Sequence, residues 1–155
     1  MKTSFIHAAK TALLLLLVTG LFTACSNSTS SEEEEQEPVA IRLKLDNQTV
    51  LERNNETSTT TGSLTLTNGS TSTFTVLFVD ESGTEFTLDP EEHSIVVSGG
   101  SSVVTFTNIN SDTAPFSFDA TATSEGQATF QIVMNHVGAP EFTASNLPVV
   151  VNSAN

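Results

Sequence analysis

From Ile41 onward, apolar and polar residues alternate with a period of two, and no stretch sustains the period of a helix. In "AIRLKL", Ile41, Leu43 and Leu45 share one face while Arg42 and Lys44 take the other, the pattern of a half-buried strand. "TVLE" at Thr49–Glu52 predicts a short second strand, and the polar "NNETSTTTG" after it a loop. "SLTLT" turns Leu64 and Leu66 inward, and Asn68-Gly69 is a strong hairpin signal. "TFTVLFVD" differs in carrying apolar residues on both faces: Phe74, Val76 and Phe78 on one, Leu77 and Val79 on the other. That pattern predicts a central strand covered on each side.

The second half repeats this logic. "DESG" turns the chain, "TEFTL" returns, and Asp89-Pro90 stops it. "SIVVS" leads through Gly99-Gly100 into "SVVTFTN". "PFSFDATA" places Phe116, Phe118, Ala120 and Ala122 on one face. After Glu125-Gly126, "QATFQIVM" points Ala128, Phe130, Ile132 and Met134 inward. "LPVVV" does the same with Leu147, Val149 and Val151, and Pro148 favours an edge position. Eight to ten short strands with frequent turns are the signature of an all-β domain, a β-sandwich or small barrel. Composition agrees: about two dozen Thr and many Val suit a pleated surface, and ten Phe supply the aromatic bulk where Trp and Tyr are absent.

The closing "SEGQATFQIVM…LPVVV" resembles the last hairpin of bacterial immunoglobulin-like domains, which implies an Ig-like antiparallel β-sandwich over residues 39–155. The Cys–Trp–Cys core of antibody-type domains is absent, because the chain has one cysteine and no Trp.

The first 24 residues read as an address. Lys2 and Lys10 precede an uncharged span from Thr11 to Ala24, about 21 Å long as a helix at about 1.5 Å per residue. That is short of the roughly 30 Å hydrocarbon core of a bilayer, and a charged start with a small-residue exit describes a secretory signal. Phe22-Thr23-Ala24-Cys25 resembles the lipobox of bacterial lipoproteins, with Phe22 where the family prefers Leu. The resemblance implies cleavage before Cys25, a diacylglyceryl group on its sulfur and an acylated new amine; two or more acyl chains make a durable anchor where one does not. A free reactive thiol is the rival reading, but no nearby His, Lys or second Cys would activate it. Residues 25–38 follow as an acidic Ser/Glu-rich tether whose charges repel and leave nothing to bury. Ser26, rather than Asp, resembles lipoproteins sent to an outer membrane, and Glu32–Glu35 the acidic surface-export stretch of some Bacteroidota.

Charge narrows the partners. From Val39 onward, 13 acids face three bases (Arg42, Lys44, Arg53), so 3 − 13 = −10. Such a surface repels phosphate backbones, and nucleic acid is excluded as an expected partner. The same excess resembles proteins of salty habitats, whose stability rises as salt screens the repulsion.

Chemistry is sparse. His136 and Glu141 in "MNHVGAPEF" are weak candidate metal ligands; the stretch is similar to an "H-x-G-H-x-D-F" loop of secreted bacterial proteins, but Ala139 stands at the second His, so a ligand is missing and a hydrogen-bonded loop histidine, not a metal site, is expected. His93 follows Glu91 and Glu92. Asp80, Glu81, Glu85, Asp89, Glu91 and Glu92 are dense enough to attract Ca²⁺ weakly but lack EF-hand spacing, so they read as a solvated acidic rim. Asn47, Asn55 and Asn68 begin N-x-Ser/Thr triplets, and Asp112-Thr113-Ala114 resembles an O-glycosylation triplet of some Bacteroidota. No nucleophile elbow, His-Glu-x-x-His or phosphate loop occurs, so neither an enzyme nor a cofactor is expected. The sequence therefore reads as a lipid-anchored envelope protein displaying one Ig-like domain as a binding, adhesive or structural module toward a protein or glycan. The alternative is a metal- or small-ligand-binding lipoprotein using His136, Glu141 and the acidic loops.

Overall fold

The structure, a computed structural model, describes residues 36–154. The signal, Cys25 and all but the last three residues of the tether lie outside the described residues.

Eleven strands build two facing sheets: β1 Ala40–Leu45, β2 Gln48–Asn54, β3 Thr59–Gly62, β4 Leu64–Thr67, β5 Thr71–Val79, β6 Glu85–Phe86, β7 His93–Gly99, β8 Val104–Thr107, β9 Ser117–Ala122, β10 Gly126–His136 and β11 Ala139–Asn152. The larger sheet runs β3-β2-β1-β5-β9-β8, with β6 added to β5. The smaller runs β4-β11-β10-β7. Pairing is antiparallel throughout except between β11 and β4. The fold is the all-β sandwich that the alternation predicts.

Period-two faces translate directly into burial. Ile41, Leu43, Leu64, Phe74, Val76, Phe78, Ile95, Phe118, Phe130, Ile132, Met134 and Leu147 all lie at or below 2% exposure. They form one core between the sheets. Phenylalanines dominate its centre. Phe118 of β9 stacks on Phe74 of β5 (5.7 Å between centroids) and meets Phe106 and Phe130 edge-on at 5.6 and 6.4 Å. Because Phe130 belongs to the opposite sheet, this cluster ties the two layers together.

Three expectations change. First, "TTTG" is strand β3 rather than loop, held by its ladder to Leu51–Asn54 although nothing in it is apolar. Second, Asn68-Gly69 does not close a hairpin, and the Gly99-Gly100 turn joins strands of different sheets. Each carries the chain from the smaller sheet to the larger, since β4 and β7 belong to one and β5 and β8 to the other. Their dihedrals meet the local demand of a turn, but sheet membership is set by which edge the next strand can pair with. Third, Pro148 lies in an interior strand, β11, which begins at Ala139. The imino acid is tolerated because pairing with β4 starts one residue later, at Val149.

The outer face of the larger sheet carries an ion-pair network. Arg42 Nε donates to Glu52 at 2.7 Å, and Arg42 Nη1 and Lys44 Nζ donate to Glu85 at 3.2 and 2.7 Å. The Lys44 and Arg42 hydrogen bonds hold the Glu85 carboxyl below its usual 4.5, against partial desolvation. Thr73 and Asn108, donating at 2.6 Å each, likewise hold Asp119 below its usual 3.8. A carboxylate depressed in the folded state contributes stability that is fully present above its unfolded pKa and is lost as pH falls through the folded one. Denaturant midpoints should therefore drop as pH falls below about 4.5, and the Glu85→Gln/Asp119→Asn variant should show a flatter profile there. Equal slopes for the two proteins would remove these carboxylates from the acid response.

Candidate functional site

The inward-facing rows of β7 and β10 are apolar until they reach one end of the sandwich. On β7 the buried row is His93, Ile95, Val97; on β10 it is Phe130, Ile132, Met134 and then half-buried His136. Antiparallel register sets His93 directly opposite His136. Their imidazoles stack with centroids 4.4 Å apart and planes 11° from parallel. His93 is nine-tenths buried, at 6% exposure, and its Nδ1 lies 3.1 Å from the Asp89 carbonyl oxygen. A carbonyl can only accept, so Nδ1 carries the proton and Nε2 is the ring atom able to ligate.

Glu141 reaches the pair through an irregularity in β11. Met134 pairs with Phe142 and Asn135 with Pro140, which leaves Glu141 as the extra residue of a β-bulge. Bulges re-aim a side chain that strict alternation would send elsewhere. Here the Glu141 carboxylate comes to 3.5 Å from His136 Nδ1. Glu92, beside His93, brings its carboxylate to 3.7 Å from His136 Nε2. The turn between β10 and β11 is Val137-Gly138, at φ of 48° and 81°, and the Val137 amide donates to the Glu92 carbonyl at 2.8 Å. That bond fastens the hairpin tip to the segment entering β7.

Position is further secured by Asn110, whose side-chain amide accepts from the Ile95 amide at 2.9 Å and donates to the Ile95 carbonyl at 2.7 Å. The pair of bonds imitates a neighbouring strand along β7, an edge strand. A cleft of about 290 Å³, lined by His93, Asn110 and Asp112 among others, opens beside it.

His136 and Glu141, the weak candidates of a sequence that reads as having no metal site, do converge. His136, expected as a loop histidine, is the last residue of β10. Ala139 indeed stands where the similar motif has its second histidine, and the second imidazole comes from His93 on another strand. The acidic rim, by contrast, is dispersed. Glu85 is held by Arg42 and Lys44. Asp80 accepts from the Ser82 hydroxyl and from the amides of Thr84 and Ser82, which hold its carboxyl below the usual value. Asp89 Oδ1 accepts from the Glu91 amide.

No protein-family model and no curated protein matches this sequence. Among solved structures, domains 4 and 5 of the S-layer protein SbsC are similar at 18% identity and a TM-score of 0.42, over 74% of this chain and 53% of that one. Domains 4–9 of the surface layer protein SbsC are similar at 17% identity and a TM-score of 0.45, over 77% of this chain and 15% of that one. The chain thus spans about half of the first of these structures and a smaller part of the second.

Proposed function

We propose that this chain is a lipid-anchored cell-envelope protein that presents a single Ig-like sandwich as a binding, adhesive or structural accessory module. The observation that carries the reading is the order of devices along the sequence. A charged start and a short apolar span lead to Phe22-Thr23-Ala24-Cys25; an acidic spacer follows, and then a β-sandwich. Thirteen residues from Ser26 to Pro38 reach at most about 43–47 Å, so the module works within a few nanometres of the bilayer it is anchored to. The sandwich holds one hydrophobic core packed between its two sheets, a self-contained module for display. Loops and the sheet edges at β3, β4 and β8 are the surfaces offered to a protein or glycan.

Cys25→Ala tests the anchor. The variant should leave the membrane fraction, incorporate no labelled fatty acid and accumulate uncut before position 25. Retention in the membrane with lipid label intact would overturn the reading.

A further inference from the structure

We propose that His93, His136 and Glu141 form a binding site for a divalent transition-metal ion of the Zn²⁺ type. Glu92 is the carboxylate that orients His136 from its far ring nitrogen.

Each of the three residues offers one ligand atom, and these atoms lie within 4.8 Å of one another. Two ligands at about 2.1 Å from a tetrahedral ion are about 3.4 Å apart. The 3.5 Å between His136 Nδ1 and Glu141 Oε2 already has that spacing. Completing the site asks that His93 Nε2 and this edge draw together and that one imidazole turn out of the 11° stack, so that both in-plane lone pairs meet at the ion. His136, half-exposed at the end of β10, is the ring that would turn. Two imidazoles and one carboxylate are a donor set for Zn²⁺ and its neighbours and a poor one for Ca²⁺, which takes six to eight oxygens.

The surrounding groups are of the kind that flank a ligated histidine: one hydrogen bond to a backbone carbonyl and carboxylates at ion-pair distance. His93 Nδ1 faces the Asp89 carbonyl oxygen at 3.1 Å, which directs Nε2 as the nitrogen that would meet the ion. His136 faces Glu92 at 3.7 Å through Nε2 while Nδ1 faces Glu141. Backbone carbonyls and carboxylates in these positions set tautomer and ring orientation and raise ligand basicity. Three ligands come from three different strands, β7, β10 and β11, so an ion would clamp the β10–β11 hairpin tip to the edge strand. A fourth position remains for water or for a donor group on a partner.

The site does not depend on the anchoring of the chain, and its test is separate from lipidation. The full chain, stripped with a chelator, is titrated with Zn²⁺ alone by calorimetry, and binding is followed in parallel by the histidine ring ¹⁵N shifts. One equivalent should bind, with His93 and His136 ring signals moving together and the melting temperature rising with Zn²⁺ concentration. His136→Gln and Glu141→Gln alter half-exposed side chains outside the core, so they test ligation where a His93 variant could fail to fold. Each should weaken binding by at least about tenfold, and Glu92→Gln by about 10–100-fold. Absence of binding, affinity unchanged in both His136→Gln and Glu141→Gln, or displacement of Zn²⁺ by an equal concentration of Ca²⁺ would each overturn the proposal.

Discussion

Replacing Phe118 by alanine should destabilise the domain by about 3–5 kcal/mol, the usual cost of deleting a fully buried phenylalanine. Phe118 is 0% exposed and touches rings from both sheets: Phe74 and Phe106 on its own, Phe130 across the interface. Truncation loses the transfer energy of the ring and leaves a cavity that strands on both sides are too firmly paired to fill. Domains of this size are stable by only about 5–15 kcal/mol, so the loss is a large share of the total. Urea unfolding followed by far-ultraviolet circular dichroism reads it directly, and Phe118→Leu, which keeps much of the volume, should cost clearly less. A loss below about 1.5 kcal/mol for the alanine variant would mean that this cluster is not the joint between the sheets.

Gly100→Ala should cost about 2–5 kcal/mol, from two separate causes. The residue sits at φ +77°, where an L side chain is strained by roughly 1–2 kcal/mol. A methyl group there would also lie 2.4 Å from Val104 Cγ1 and 2.9 Å from the Val104 carbonyl oxygen, with Phe106 at 3.1 Å. Overpacking of that kind adds about 1–3 kcal/mol. Gly69 offers a control. Its φ is +82°, but an added methyl meets nothing within 4 Å, so Gly69→Ala should show the backbone strain alone. The difference between the variants, measured at matched denaturant slopes, isolates the steric contact at the crossover from β7 to β8. Equal losses would show that the crossover yields to admit the methyl.

The lesson of these two sites differs. Phe118 was readable from the alternation of "PFSFDATA", because a strand's inward face is decided by residues two apart and needs no knowledge of the partner. Gly100 was readable as a turn but not as a passage between sheets. Asn68-Gly69 shows the same limit: a dipeptide suited to a hairpin specifies local dihedrals, and here β4 finds its neighbour in β11 instead. Strand β3 escaped the reading because "TTTG" has no apolar residue; its structure is lent to it by the ladder of β2.

Alternation alone determined the all-β class and most of the core, from Ile41 to Val151, because side-chain direction in a strand is a local, period-two property. Net charge too needs no coordinates: 13 acids against three bases from Val39 onward are why no phosphate backbone is expected as a partner. Which strands become neighbours was decided only in three dimensions, and with it the candidate site. His136 and Glu141 were visible as residue types in one short stretch, while His93 joined them through the register of β7 on β10. A bulge then turned Glu141 toward the pair. Register and bulges are settled by competition among all possible pairings, a quantity no local window of sequence contains.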